Sequence, residues 1–172
     1  MTATADATRA SASSFADLGV PARIADVLDH QGLTFPFPIQ TATLPDSLAG
    51  RDVLGRGRTG SGKTLAFALP IVARLGVDGR RTRPNRPRAL VLVPTRELAT
   101  QVHDVVAPLA APSRLTVATI FGGVRQNGQV RALDVGTDIV VACPGRLDDL
   151  MRQGHVDLRD VEITVLDEAD HM

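Results

Sequence analysis

Cysteine, aromatic residues and lysine are scarce in this chain of 172 residues. Cys143 is the only cysteine, which excludes an intramolecular disulfide and argues against a zinc site built from thiolates. Tryptophan and tyrosine are absent, and Lys63 is the only lysine. A reducing cytoplasm is the setting that this cysteine usage predicts.

Long apolar runs are also missing, and the charge is balanced. No stretch approaches the roughly 20 residues that span a bilayer, so we expect no membrane partner. Residues 1–14 lack the apolar core of a secretory signal and are interpreted as a disordered tail. A transit peptide is the alternative, which Asp6 and the single Arg9 disfavour. Acidic and basic residues number 19 each, so any nucleic-acid site must be local.

Short apolar runs alternate with amphipathic stretches between Asp52 and Asp167. This alternation is typical of strands that feed helices in a mostly parallel sheet, and it predicts an α/β fold. The predicted strands are 52–55, 89–93, 116–120, 138–142 and 162–166. The predicted helices are 62–75, 95–109, 124–133 and 144–153, preceded by an amino-terminal flap (15–50) with helices at 21–30 and 38–48. The main domain is then 51–172.

Five arginines lie between Gly79 and Arg88, among prolines and an asparagine. The composition predicts a solvated loop. Contact between this loop and RNA is the alternative.

A phosphate-binding loop is predicted at residues 57–64, where a glycine and four residues precede Gly-Lys-Thr. It follows a predicted strand and opens a helix, so its amides and the helix dipole can hold phosphates. Lys63 is expected to bind the β and γ phosphates, and the Thr64 hydroxyl to bind Mg²⁺. The other nucleotide-binding positions of the loop are Arg58, Thr59, Gly60, Ser61 and Gly62.

A cluster of acids, Asp167-Glu168-Ala169-Asp170, follows the apolar strand at 163–166. Ligands of open α/β sheets bind at the carboxyl ends of strands, so these acids and the phosphate loop should face one crevice. Asp167 is expected to hold Mg²⁺ largely through water, and Glu168 to orient or deprotonate the attacking water. Together the two motifs predict a P-loop NTPase with Lys63, Asp167 and Glu168 as catalytic residues.

The remaining motifs resemble those of DEAD-box ATP-dependent RNA helicases, in the first RecA-like domain. Residues 32–40, Gly-Leu-Thr-Phe-Pro-Phe-Pro-Ile-Gln, resemble the Q motif, with Phe15 at its upstream aromatic position. The resemblance implies that Gln40 reads adenine, and an amide has the donor and acceptor for this. Phe15 could stack on the base. The implied nucleotide is ATP, with Mg²⁺.

Three further motifs complete the resemblance, which spans residues 15–172. The resemblance implies that these motifs, at 94–99, 122–123 and 144–146, bind the RNA backbone. The helix amino termini at Thr95 and Pro144 suit phosphate binding. The resemblance also implies that Asp170 couples this domain to a second RecA-like domain. The implied RNA-binding residues are Pro94, Thr95, Arg96, Glu97, Gly122, Gly123, Pro144, Gly145 and Arg146.

Three positions depart from the family pattern. Phe37 stands where Thr or Ser is usual, so one hydrogen bond to the phosphate loop should be missing. Gly57 replaces a common alanine. Cys143 replaces a frequent threonine and is a weaker hydrogen-bond partner for a phosphate.

The family's Ser-Ala-Thr strand and its second RecA-like domain lie beyond these 172 residues. The sheet is therefore expected to lack its last central strand and to expose an unpaired edge. The resemblance predicts an intact protein that couples ATP binding and hydrolysis to local unwinding of RNA duplexes, with negligible hydrolysis by this portion alone. The alternatives are a nucleotide- or RNA-binding module without catalysis and a DNA-directed P-loop ATPase, which Gln40 disfavours.

Overall fold

Four parallel strands form the centre of the computed structural model, which describes residues 14–58 and 60–172. The strands are β1 (Ala89–Leu92), β2 (Val117–Ile120), β3 (Ile139–Ala142) and β4 (Ile163–Leu166). The helices are α1 (Ala22–His30), α2 (Pro38–Leu48), α3 (Lys63–Leu75), α4 (Arg96–Ala110), α5 (Asn127–Asp134) and α6 (Pro144–Arg152). Most of the expected tail, and Thr59 of the phosphate loop, fall outside the described residues.

The strand order is β2-β3-β1-β4, and the α/β class is confirmed. Leu92 at the end of β1 pairs with Ala142 of β3 and with Leu166 of β4, while Ala142 pairs with Ile120 of β2. All four strands therefore end in register at the same edge of the sheet. Because ligands bind at the carboxyl ends of parallel strands, this edge is where a site is expected.

The predicted strand at 52–55 is wrong. Residues 51–58 have no regular structure, and Val53 and Leu54 are 41% and 87% exposed. A groove of about 460 Å³ separates this segment from β4. A strand needs a partner about 4.8 Å away, and in the described part of the chain this apolar segment has none, because a groove lies between it and β4. Strand β4 therefore has a strand partner on one side only among the described residues.

The hydrophobic core joins the amino-terminal helices to the sheet. Ile24 and Leu28 of α1 and Leu44 of α2 are fully buried in the same cluster as the inner faces of β1, β3, α3 and α4. A smaller cluster lies on the opposite face of the sheet, between β3 and helices α5 and α6. Strand β3, Ile-Val-Val-Ala, is buried along its whole length, as expected for a central parallel strand.

Helix starts follow from local sequence. The Thr95 hydroxyl accepts a hydrogen bond from the Leu98 amide at 3.2 Å and so caps α4. Helices α2 and α6 each begin at a proline, whose fixed φ suits the first turn. None of the helices in the described part of the chain has the length and apolar character needed to cross a bilayer.

The arginine-rich segment is largely neutralised by neighbouring acids. Four of its arginines form ion pairs, which join Arg80 to Glu162, Arg83 to Asp160, Arg86 to Asp157 and Asp160, and Arg88 to Asp78 and Glu162. The segment therefore presents less positive charge than its sequence suggests. Contact between it and RNA stays a prediction.

Replacing Arg88 is expected to destabilise the fold. Its side chain is 2% exposed, and it donates to Asp78 at 2.7 Å and to Glu162 at 2.9 Å. Arg88→Met leaves both carboxylates without this partner. Because they are 44% and 41% exposed, water compensates in part, and we expect a loss of about 2–3 kcal/mol in the free energy of unfolding. Urea denaturation measures it.

Arg81→Met is the matched control. Arg81 is exposed in the same segment and forms no ion pair among the described residues. Its substitution should change the free energy of unfolding by less than about 0.5 kcal/mol. Equal effects of the two substitutions would show that the buried cluster around Arg88 does not stabilise the sheet.

Candidate nucleotide and nucleic-acid site

Every predicted motif apart from the Q motif and the phosphate loop begins where a strand ends. Across the sheet, the order at this edge is the Gly122-Gly123 turn after β2, Pro144 after β3, Thr95 after β1 and Asp167 after β4. The implied RNA-binding positions therefore lie on one side of the edge. The acids of the nucleotide site lie at its other end, next to the groove that α3 also lines.

The phosphate loop runs into α3, whose first residue is Lys63. Gly60 and Gly62 have φ values of 80° and 86°, which residues with a side chain rarely adopt. The Ser61 hydroxyl is buried and has no hydrogen-bond partner among the described residues. A buried, unpartnered hydroxyl at a helix amino terminus fits a loop that binds an anionic ligand.

Gly57 lies directly behind Ser61. A Cβ atom at position 57 would be 2.5 Å from the Ser61 hydroxyl and 3.3 Å from the Lys63 side chain. An alanine here would therefore force the Ser61 side chain to turn. A glycine at position 57, where the family commonly has alanine, therefore suits the close packing of this loop.

Lys63 and Asp167 line the same groove. Asp167 is 9% exposed, and its amide donates to the Leu92 carbonyl at 3.0 Å, which fixes it at the end of β4. Burial raises the pKa of the Asp167 carboxyl; the Lys63 ammonium opposes this shift, and the Glu168 charge adds to it. The structure therefore places the only lysine near enough to the first acid of the cluster for its charge to lower the pKa of that acid, although the two form no ion pair among the described residues.

Glu168 has a φ of 52°, in the left-handed region. Non-glycine residues in this region are uncommon and concentrate at functional sites. Asp170 is largely exposed, and its carboxylate lies 3.7 Å from a ring nitrogen of His171. The structure thus separates a buried Asp167 and a half-buried Glu168 from an exposed Asp170.

The donor set for a metal ion is small. In the described part of the chain no three His, Cys, Asp or Glu residues form a metal-binding cluster. The Asp167 carboxylate, which lines the groove, and the Thr64 hydroxyl in the first turn of α3 are the predicted ligands. Oxygen ligands of this kind suit Mg²⁺, which keeps several waters when bound.

Gln40 is fully buried, and its amide is bonded on both sides. Its Nε2 donates to the Gly62 carbonyl at 2.9 Å, and its Oε1 accepts from the Phe37 amide at 2.9 Å. An amide group has two donors and two acceptor positions, so one of each remains. That residual pair matches the donor and acceptor on the major-groove edge of adenine, but Gln40 is as buried as Phe15, so a base reaches it only if neighbouring side chains move.

The two aromatic positions of the Q motif differ in exposure. Phe15 is 3% exposed and packs in the main core, so its ring has no free face in this structure. Phe37 is 47% exposed, and its ring lies so close to Gly62 that a Cβ there would be 2.9 Å away. At position 37 the family usually has the hydroxyl of Thr or Ser. In this chain the Phe37 ring packs against the phosphate loop instead.

On the other side of the edge, Arg96 and Glu97 are exposed and paired at 2.7 Å. Gly123 adopts a φ of 80° and lies near the Arg96 guanidinium, 3.7 Å from the position of a Cβ. Together with Thr100 and Phe121, Arg96 and Glu97 line a shallow depression. The structure thus brings the motifs after β1 and β2 together.

Gln129 is a positioning residue that sequence reasoning missed. Its Nε2 donates to the Phe121 carbonyl at 3.0 Å, and its Oε1 accepts from the Phe121 amide at 3.2 Å. This amide pair holds the start of the Gly122-Gly123 turn. A buried glutamine on the mostly polar helix α5 was the available signal, but burial cannot be seen in a single sequence.

The Pro144-Gly145-Arg146 motif opens α6. Arg146 donates to the Val124 carbonyl at 3.2 Å, which ties α6 to the turn after β2. Burial raises the pKa of the Cys143 thiol, and the Glu97 charge adds to that shift. Cys143 is therefore a neutral thiol, which does not repel a phosphate.

The parallel α/β sheet, the helix that starts at Lys63 and the acids after β4 define the RecA-like class of P-loop NTPase domains. A crystal structure of the RNA helicase Prp28 from Chaetomium thermophilum, bound to ADP, superimposes with a TM-score of 0.82 and is 38% identical. The match covers 91% of this chain and 38% of that one.

The chain belongs to the DEAD/DEAH box helicase family, whose model matches residues 37–172. It is 48% identical to the chloroplastic DEAD-box ATP-dependent RNA helicase 3A of Zea mays and 43% identical to the ATP-dependent RNA helicase RhlB of Sodalis glossinidius. Each match covers 92% of this chain, but only 22% and 39% of the respective relative. The chain therefore spans well under half the length of these relatives.

Proposed function

We propose that the whole protein is an ATP-dependent RNA helicase and that these residues form its ATP-binding half. The observation that carries the proposal is that Lys63, from the phosphate loop, and Asp167, from the acidic cluster, line one groove, where the Lys63 charge lowers the pKa of Asp167 against the effect of burial. An ammonium and a carboxylate in one groove suit a nucleotide phosphate bound with a divalent cation. The names of the relatives and the ADP-bound Prp28 structure support the same assignment.

Each residue of the nucleotide site has a proposed role. Lys63 offsets the charge of the β and γ phosphates, while amides of residues 58–62 and the Ser61 hydroxyl bind phosphate oxygens. Thr64 and Asp167 would hold Mg²⁺, which neutralises charge that develops on the phosphates. Glu168 orients the attacking water and accepts its proton. Gln40 reads adenine through its remaining donor and acceptor.

RNA is the proposed second ligand, bound by the Thr95, Gly122 and Pro144 motifs at the other side of the sheet edge. The backbone amides and arginines of these motifs suit a sugar-phosphate backbone and have little means of reading sequence. A second RecA-like domain is the proposed partner that completes both sites, with Asp170 as the coupling residue. The proposed location is a reducing cytoplasm.

Titration of the 172-residue chain with a fluorescent ADP analogue and Mg²⁺ tests the nucleotide site. We expect saturable binding that excess ATP displaces. If no binding is found, the nucleotide assignment fails for this chain. With the whole protein, ATP hydrolysis stimulated by RNA supports the helicase assignment. Stimulation by single-stranded DNA and not by RNA would favour a DNA-directed ATPase instead.

Gln40→Glu is expected to weaken adenine binding with little change in shape. The carboxylate can still accept from the Phe37 amide, but it cannot donate to the Gly62 carbonyl or to adenine. We expect roughly 10-fold weaker ADP binding, since one or two hydrogen bonds are lost. GDP affinity should change less. Equal losses for ADP and GDP would show that Gln40 supports the loop without reading the base.

A further inference from the structure

The turn between β2 and α5 is held by side chains and not by its own main chain. It spans residues 121–126 and carries Gly122 and Gly123, which are both exposed. Among the described residues, no main-chain group of 121–125 forms a hydrogen bond with another main-chain group. An exposed segment with so few hydrogen bonds of its own opens easily unless something else holds it. The side chains of the neighbouring helices therefore decide what shape this turn keeps.

Gln129 of α5 supplies the first of these contacts. Its side-chain amide binds both main-chain groups of Phe121, accepting from the N–H at 3.2 Å and donating to the carbonyl at 3.0 Å. The Gln129 side chain is 8% exposed, so water competes little for these two bonds. Without the amide, the N–H and carbonyl of Phe121 would lose their partners, which costs more than the net gain from the bonds. Phe121 is therefore fixed relative to α5.

Helix α6 supplies two further contacts, both of them exposed. Arg146 donates to the Val124 carbonyl at 3.2 Å, and Gln153 accepts from the Gln126 amide group at 2.8 Å. Water can replace either partner in an exposed bond, so these contacts hold the turn less firmly. Of the three contacts, only that of Gln129 is shielded from water. It also acts at the point where the turn leaves β2.

The turn lies beside the residues proposed to bind RNA and away from the proposed nucleotide site. The Arg96 guanidinium is 3.7 Å from the position that a Cβ would take on Gly123. Strands β2 and β4 are at opposite ends of the sheet, so three strand spacings, about 14 Å, separate the turn from Asp167. A change in the shape of the turn should thus reach the proposed RNA contacts without reaching the nucleotide.

We propose that Gln129 controls the affinity for RNA without touching RNA, by holding the Gly122-Gly123 turn in the shape that binds the sugar-phosphate backbone. This inference rests on the proposed RNA-binding function and adds a positioning residue to it. A turn that is already ordered loses little conformational freedom when RNA binds. Without the Gln129 amide, binding must also order the turn. Fixing the main chain of one residue is enough to weaken binding by about 5- to 30-fold.

The test compares Gln129→Met with Thr137→Val in the whole protein. Methionine has nearly the length of glutamine but lacks the amide that binds Phe121. Thr137 is the matched control, because it is 4% exposed and its hydroxyl donates to the Ala132 carbonyl at 2.8 Å, at the end of α5 away from the turn. Each substitution removes buried hydrogen bonds to main-chain groups, so both should lower the free energy of unfolding. Only Gln129→Met should change RNA binding.

Two titrations separate the effects. A fluorescent single-stranded oligouridine, with Mg²⁺ and a non-hydrolysable ATP analogue present, measures RNA affinity, and the fluorescent ADP analogue measures nucleotide affinity. We expect Gln129→Met to bind the oligouridine about 5- to 30-fold more weakly and to bind ADP unchanged. In RNA-stimulated ATP hydrolysis, the RNA concentration at half-maximal rate should rise by the same factor. The rate at saturating RNA should be kept, because bound RNA restores the shape of the turn.

Amide hydrogen exchange in the unaltered protein gives a second test that needs no variant. The Phe121 amide should exchange more slowly than the amides of Gly122 and Gly123, which have no hydrogen-bond acceptor among the described residues. Equal exchange at the three positions would overturn the inference, since the Gln129 contact would then not hold the turn in solution.

Three results with the variants would also overturn it. One is unchanged RNA affinity in folded Gln129→Met. Another is an equal loss of RNA and ADP affinity, which would mean that Gln129 only supports the fold. The third is an equal loss of RNA affinity in Thr137→Val. If the unaltered protein binds ADP but no RNA, the proposed RNA function itself is wrong, and this inference is wrong with it.

Discussion

Lys63→Ala is expected to weaken the binding of ADP and ATP by roughly 10- to 100-fold, since a charge-assisted hydrogen bond to phosphate is worth about 1.5–3 kcal/mol. The sequence sharpens this expectation, because no other lysine can take over the role. In ATP hydrolysis by the whole protein, the loss should reach about 10²–10³, because the same charge also stabilises the transition state. Titration with the fluorescent ADP analogue measures the first effect.

Two controls accompany this variant. Lys63→Arg keeps the charge but replaces a compact ammonium by a planar fork, so it should recover only part of the affinity. Arg131→Ala removes a cation from exposed α5 and should leave the binding constant unchanged. If Lys63→Ala and Arg131→Ala weaken binding equally, a diffuse charge effect explains the data and the phosphate assignment is wrong.

The single lysine also permits a chemical test on the unaltered chain. An amine-reactive acetylating reagent can modify only Lys63 and the terminal amine, so mass spectrometry reads the two sites separately. ADP with Mg²⁺ should protect Lys63 and leave the terminal amine reactive. Protection of both sites, or of neither, would contradict a nucleotide bound at Lys63.

The sequence predicted best the features that local chemistry controls. Proline or threonine marks the start of α2, α4 and α6, and each of these helices begins at or next to the expected residue. Strands β1 and β3 are continuous apolar runs, and such a run in a chain of alternating elements indicates a buried parallel strand. Parallel strands end at one edge, so the convergence of Thr95, Pro144 and Asp167 also followed from the pattern.

Features that depend on distant neighbours could not be predicted in this way. Residues 52–55 have the apolar pattern of a strand, but pairing requires a second strand at the right distance, and β4 lies across a groove. The bond between Gln40 and Gly62 joins residues 22 positions apart. The ion pairs of Arg88 reach as far as Glu162, 74 positions away, and, with those of three neighbouring arginines, they lessen the positive charge of the loop.

Phe15 and Gln40 show what a family resemblance leaves open. The resemblance implies that both bind the nucleotide, which stays a prediction, but their burial is set by how α1 and α2 pack on the sheet, which no motif describes. Gln129 shows the opposite case, since no motif marked it and the packing of α5 against β2 brings its amide to Phe121. Identity and spacing therefore locate a site, while packing decides how exposed its side chains are and what they contact.

Glu168→Gln in the whole protein is expected to abolish most ATP hydrolysis while leaving nucleotide binding intact. Glutamine has nearly the same shape but cannot accept a proton from water, and general-base catalysis contributes about 10²–10⁴ to a rate. Binding should stay equal or become tighter. The Glu168 charge helps to raise the pKa of Asp167, so Glu168→Gln should lower that pKa. The substitution also removes a negative charge near the phosphates, and this lessens the repulsion between the site and the nucleotide.

Single-turnover hydrolysis and ADP titration, run on the same preparation, separate the two effects. Asp149→Asn, which removes an exposed acid on α6, is the matched control and should hydrolyse ATP at the rate of the unaltered protein. Hydrolysis and binding lost together would assign Glu168 to nucleotide binding. Hydrolysis retained in Glu168→Gln would mean that another group accepts the proton, and Asp167, whose raised pKa makes it a better base than an ordinary aspartate, would be the next residue to test.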